Sequence, residues 1–85
     1  MHIKLHRSFD KQYIRLSSDL KQKFKIRRDV FLKNQFDPIL NNHALTGKYE
    51  GFRSINITGD LRAIFKKDGE SVIFVAIGSH SRLYG

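Results

Sequence analysis

The chain has 85 residues, no cysteine, one proline, and 16 Lys+Arg against 8 Asp+Glu, for a formal net charge of +8. That length leaves room for one hydrophobic core, so residues 1–85 are expected to form a single domain, and the missing cysteines exclude a disulfide framework, a CxxC zinc knuckle and a thiol nucleophile. No apolar run approaches the ~18 residues of a membrane span. The opening MHIKLHRSFD lacks a signal-peptide core, so a cytoplasmic protein with no membrane partner is expected.

Residues 2–6 alternate, with Ile3 and Leu5 against His2, Lys4 and His6, which reads as a short half-buried strand. Ser8 is suited to cap a helix in which Phe9, Tyr13 and Leu16 recur at i, i+4 and i+7. Ser17-Ser18 interrupts that helix and can cap a second one. There Leu20, Phe24 and Phe31 form an apolar stripe, with Arg27 as a polar intruder. The two helices read as an amphipathic hairpin. Pro38 ends the helical region, and residues 41–51, with Asn, Thr and Gly, read as a loop leading into a strand.

From Phe52 the pattern is strand (52–58), turn (Thr58-Gly59-Asp60), strand (61–66), turn (67–70) and strand (72–77). Asp68-Gly69 is the strongest hairpin signal in the chain. The continuously apolar 72–77 suits a central strand covered on both faces. The element order is β-α-α-β-β-β, an α+β fold class.

Charge is unevenly spread. Residues 1–33 carry ten Lys/Arg and three acids, a balance of +7, leaving +1 for the remainder. Lys21, Lys25 and Arg28 share one face of the second helix, away from its apolar stripe. Such a surface suits a polyanion, whether nucleic acid, an acidic protein or a membrane surface. A solvated helix face that keeps a small protein soluble would look the same.

The hairpin signal allows a geometric step. With Asp68-Gly69 as a two-residue turn, Lys67 faces Glu70, Phe65 faces Val72, Arg62 faces Val75 and Asp60 faces Ile77. Leu61, Ala63 and Phe65 then share an apolar face with Val72, Phe74 and Ala76, the face that should carry the helices. Asp60 and Arg62 point the other way. The last strand runs on to Gly78-Ser79-His80, so Asp60, Arg62 and His80 are expected at one end of the sheet, with Asn56 and Thr58.

An acid, a base and a cation in one place are what RNA cleavage by an attacking 2′-OH requires without a metal. His80 is the natural proton-transfer group, Arg62 can hold the scissile phosphate, Asp60 can assist a histidine or the hydroxyl, and Tyr84 can stack on a base. Arg53, on the first hairpin strand, is a second candidate for phosphate charge. Plainer readings stand beside these. His80 is equally a surface residue, Asp60 a turn residue after Gly59, Arg62 its ion-pair partner, and Tyr84 an anchor for the C-terminal tail. His43 lies in a loop, and no pattern brings it near His80. The four histidines show no metal-ligand spacing, and no cofactor is expected.

The stretch HALTGKYEGFRSINITGDLRAIFKKDGE…VIFVAIGSHSRLYG resembles the RelE/ParE superfamily of type II toxins, and within it the YafQ-like mRNA interferases. The resemblance covers residues 43–85 in motif and the whole chain in element order. It implies a RelE-like toxin fold, with a helical hairpin on an antiparallel sheet. It also implies cleavage of mRNA on the ribosome and inhibition by a cognate antitoxin. The basic hairpin would then grip ribosomal RNA. On this likeness the family's loop histidine falls on His43, its aspartate on Asp60, its C-terminal histidine, the expected general acid, on His80, its terminal aromatic on Tyr84 and its arginine on Arg62. Two positions depart. Asn56 stands where the family has a second histidine, and Leu61 where it has an aromatic. Asn56 can bind phosphate or ribose but carries no proton at neutral pH, so the base falls to Asp60 or His43. Rival readings are a ParE-like gyrase inhibitor without nuclease chemistry and a basic RNA-binding module whose histidines are incidental.

Overall fold

Residues 1–84, described by a computed structural model, form strand β1 (His2–Leu5), helices α1 (Arg7–Tyr13) and α2 (Ser18–Lys33), strands β2 (His43–Ala44), β3 (Arg53–Asn56), β4 (Leu61–Asp68) and β5 (Ser71–Ser79), and helix α3 (His80–Tyr84). The strands make one sheet in the order β1-β5-β4-β3-β2. Four of them run antiparallel, as expected from the hairpins. β1 joins parallel to β5, because the α1–α2 hairpin carries the chain away from β1 before the sheet resumes. The Gly85 that ends the quoted motif lies outside the described residues.

The helix starts follow local chemistry, with one change of cap. The residue before α1 is His6, whose Nδ1 accepts from the Ser8 backbone N–H at 3.1 Å. Ser8, the expected cap, lies inside the first turn and donates its hydroxyl to the Val75 carbonyl at 2.6 Å, tying α1 to β5. Ser17 caps α2 as its sequence suggests, accepting from Leu20 N–H at 3.2 Å. The helical stripes meet the sheet in a core of Phe9, Phe24, Phe31, Leu40, Ile55, Ile57, Leu61, Ala63, Phe65, Val72, Phe74 and Ile77. Five phenylalanines dominate it. Phe74 lies at the hub, with ring centroids 5.3 Å from Phe65, 5.7 Å from Phe24, 5.8 Å from Phe31 and 5.9 Å from Phe9. Each buried ring is worth about 1.5–3 kcal/mol of transfer free energy.

Arg27, the intruder in the α2 stripe, proves to be a fastener. Its Nη1 donates to the Ile39 carbonyl at 2.9 Å and to the Asn56 carbonyl at 3.1 Å. One guanidinium thus joins α2, the 3-10 turn Pro38–Leu40 and the end of β3.

The β4–β5 register differs from the sequence expectation in two ways. The turn is Gly69-Glu70, one residue later than Asp68-Gly69, since Asp68 pairs with Ser71. Gly69 takes φ +63° at the first turn position, where a II′ turn needs glycine. Lys67 therefore faces Val72, and Phe65 faces Phe74. The ladder then slips, with Ile64 opposite Ala76, so Val75 is an extra residue in β5. Beyond this bulge the faces exchange. Ile77 joins the helix-side core, whereas Ala76 turns to the other face. Arg62 is brought opposite Gly78, and Asp60 lies beyond the ladder.

The second face carries its own smaller cluster of Ile64, Ala76 and Leu83, packed by Leu45, Tyr49, Phe52, Val75 and Tyr84. It is roofed by the 45–52 segment and by α3. α3 folds back closely enough that Leu83 packs over Gly78, where a Cβ would touch Leu83 Cδ2 at 3.4 Å.

Candidate active site

Strand parity aims the polar residues at this second face. His43 pairs with Ser54, and Asn56 with Arg62, so all four side chains project away from the α1–α2 hairpin. At the edge of the small cluster an open cleft of about 320 Å³ is lined by Asn41, His43, Leu45, Arg62, His80 and Tyr84. Two histidines and one arginine line it, and no carboxylate does, so it suits an anion.

His80 begins α3 directly after β5. Its backbone N–H donates to the Asp60 carbonyl at 3.0 Å, which fixes the start of the helix against the β3–β4 turn. Its ring lies 4.7 Å from that of Tyr84, one helical turn later. The edge of Tyr49 closes on Tyr84 from the other side, at 6.1 Å. Among the described residues the imidazole makes no hydrogen bond, so both ring nitrogens are free for a ligand. Arg62 Nη1 donates to the carbonyls of Thr58 at 3.0 Å and Gly59 at 2.9 Å. This pins one corner of the guanidinium to the turn. Its Nε and Nη2 engage no acceptor among the described residues and remain available to a phosphate.

His43 is exposed, and its Nδ1 lies 2.7 Å from the Asn41 carbonyl oxygen. Beneath the cleft three buried oxygens have no partner among the described residues: Ser54 Oγ, Asn56 Oδ1 and Tyr84 Oη. The Asn56 oxygen is thus shut off from solvent, and Asn56 does not line the cleft.

Asp60 and Arg53 are placed elsewhere. Asp60 lines a larger neighbouring cleft of about 700 Å³, with Gln12, Arg15, Thr58, Ser79 and Arg82 among its walls. It meets His80 only through its backbone carbonyl, and its carboxylate forms no ion pair among the described residues. Arg53 pairs with Phe65 and so projects to the helix-side face. There its Nε donates to Asn42 Oδ1 at 2.8 Å, and its guanidinium stacks 5.6 Å from the Phe36 ring centroid. Its charge fastens the 36–42 segment.

Asn41, Leu45 and Ser54 were not singled out in the sequence. Asn41 carried a usable signal: an Asn-Asn pair three residues after Pro38 is where a left-handed residue closes a turn. Ser54 carried only the period-2 parity of its strand. Among the described residues no three His, Cys, Asp or Glu side chains gather closely enough to hold a metal ion.

A helical hairpin over a mixed five-stranded sheet is an architecture shared with solved structures of small bacterial toxins. YafQ from E. coli superposes with a TM-score of 0.82 at 21% identity, covering 98% of this chain and 97% of its own. The toxin in the E. coli DinJ–YafQ toxin–antitoxin complex gives 0.79 at 22% identity, with 98% and 96% covered. A YoeB/ParE toxin from Agrobacterium tumefaciens gives 0.76 at 18% identity, with 94% and 99% covered. No curated protein sequence matches the chain. The model of the YafQ family, bacterial toxins of type II toxin–antitoxin systems, matches residues 1–85, and the chain belongs to that family.

Proposed function

We propose that this toxin is an endoribonuclease that cuts mRNA on the ribosome, halting translation, and that a cognate antitoxin holds it in check. The observation that carries the reading is the cleft itself, in which His43, His80 and Arg62 converge beside Tyr84 with no competing carboxylate.

The chemistry follows from these groups. His43 removes the proton from a ribose 2′-OH. The 2′-oxygen then forms a bond to the adjacent phosphorus. Arg62 offsets the charge that builds on the phosphorane oxygens. His80, entering protonated, gives its proton to the 5′-oxygen as the P–O5′ bond breaks. The products are a 2′,3′-cyclic phosphate and a 5′-hydroxyl. A pair of proton carriers is worth roughly 10²–10⁴ for each member, which is enough for a site whose substrate is already positioned by the ribosome.

Docking falls to the helical hairpin on the opposite face of the sheet. Of the cations in residues 1–33, only Lys23 (with Asp19, 3.2 Å) and Arg28 (with Asp29, 3.3 Å) are paired with carboxylates among the described residues. Arg27 is engaged by the Ile39 and Asn56 carbonyls, and the others are free for ribosomal RNA or for an acidic antitoxin competing for the same surface. No described helix is long and apolar enough to cross a membrane. The test is purified toxin on programmed ribosomes, with cleavage ends mapped. Cleavage leaving 2′,3′-cyclic phosphate supports the reading. Intact mRNA with inhibited DNA supercoiling would favour the ParE-like alternative.

A further inference from the structure

Apart from glycine, Asn41 is the one described residue with positive φ, at φ 46° and ψ 49°. It closes the 3-10 turn, its N–H donating to the Pro38 carbonyl at 3.2 Å. A left-handed residue reverses the direction of its own carbonyl relative to a helical continuation. Here the reversed carbonyl reaches the His43 ring, two residues on, with Nδ1 and oxygen 2.7 Å apart. A carbonyl oxygen can only accept, so the proton of that bond belongs to Nδ1. In a neutral imidazole the other nitrogen, Nε2, then holds the lone pair.

We propose that Asn41 is a positioning residue whose left-handed backbone locks His43 in its Nδ1–H form and leaves Nε2 as the proton acceptor in the cleft. This answers, from the backbone, which group serves as base where Asn56 cannot. It rests on the nuclease reading for its catalytic meaning. The tautomer itself stands apart from that reading. Asparagine suits the position because it tolerates the left-handed region better than any other residue with a Cβ. A β-branched residue does not, and its strain would be relieved by rotating the carbonyl away from His43.

The experiment is ¹⁵N-resolved imidazole spectroscopy of the labelled full chain at a pH where histidine is neutral, on wild type, Asn41→Val and Asn41→Gly. The expected result is a His43 dominated by the Nδ1–H form in wild type and Asn41→Gly, with a mixture in Asn41→Val. Dominance of the Nε2–H form in wild type overturns the proposal, and that spectrum needs no variant to fold. Cleavage on programmed ribosomes is the second readout. Asn41→Val should lose about 10-fold to 100-fold in kcat with little change in KM, and Asn41→Gly should recover most of that loss. An Asn41→Gly as impaired as Asn41→Val overturns the positioning role. A wild type that holds the Nδ1–H form yet cleaves nothing supports the tautomer lock and refutes the nuclease reading. One that cleaves while His43 is Nε2–H does the reverse.

Discussion

The rings of His80 and Tyr84 meet in a tilted contact across one turn of α3, with centroids 4.7 Å apart and planes inclined by 58°. The contact sets the catalytic candidate's orientation with an aromatic wall rather than a hydrogen bond. The Tyr84 ring is the useful part of that side chain, since its Oη is buried without a partner among the described residues. Tyr84→Phe should therefore be neutral or stabilising, whereas Tyr84→Ala should cost about 2–4 kcal/mol by unroofing the small cluster. Urea denaturation of both variants checks this. A Tyr84→Phe loss as large as that of Tyr84→Ala would show that the hydroxyl is bonded after all.

Ser54 gives a second test of the floor beneath the cleft. It is 0% exposed, and its hydroxyl is unpartnered among the described residues. Removing a buried hydroxyl that bonds nothing relieves a desolvation cost of roughly 1–3 kcal/mol. Ser54→Ala should accordingly be neutral or stabilising in thermal melts. A fall in Tm of several degrees would contradict it.

Arg27 makes the opposite prediction. Its two bonds to the Ile39 and Asn56 carbonyls hold three elements together, and a charged donor's bonds are worth about 1.5–3 kcal/mol. Arg27→Met keeps most of the stem and strands both carbonyls, so it should lose at least about 2 kcal/mol by chemical denaturation. A loss below about 0.5 kcal/mol would mean that water replaces the guanidinium freely.

The proposed docking on the basic hairpin can be tested apart from the chemistry. Neutralising Lys21, Lys25 and Arg28 together should weaken ribosome binding. It should also flatten the salt dependence of that binding, by up to about one log unit for each phosphate no longer neutralised. The pattern of cleavage ends should stay the same. An unchanged salt slope would remove this face from the ribosome interface.

Much of the fold was legible because its signals are local. Phe9, Phe24 and Phe31 recur at helical spacing, Ser17 caps α2, and strands 52–58, 61–66 and 72–77 alternate or run apolar. The misreadings lie where long-range contacts decide. Asp-Gly marked the hairpin, but cross-strand packing of Phe65 on Phe74 moved the turn to Gly69-Glu70. The Val75 bulge has no sequence mark; its carbonyl is held by Ser8, 67 positions away. α3 is five residues long, too short for a helical periodicity to show.

The site divides in the same way. Strand parity placed Arg62 on the face away from the helices, and β5 led to His80 nearby. The meeting of His43 with them depends on a two-residue ladder, β2 on β3, too short to show as a pattern. Arg53 and Asp60 could not be sorted from the sequence. Arg53 is captured by Asn42 and Phe36, and Asp60 lies past the end of a ladder whose register the bulge had shifted.

If His80 is the acid of an RNA-cutting cleft, its removal must abolish cleavage. Wild type and His80→Ala are each added to programmed ribosomes, and the mRNA ends are mapped. Wild type should cleave and leave 2′,3′-cyclic phosphate, and a folded His80→Ala should lose at least about 10²-fold. Cleavage by His80→Ala at the wild-type rate would contradict it.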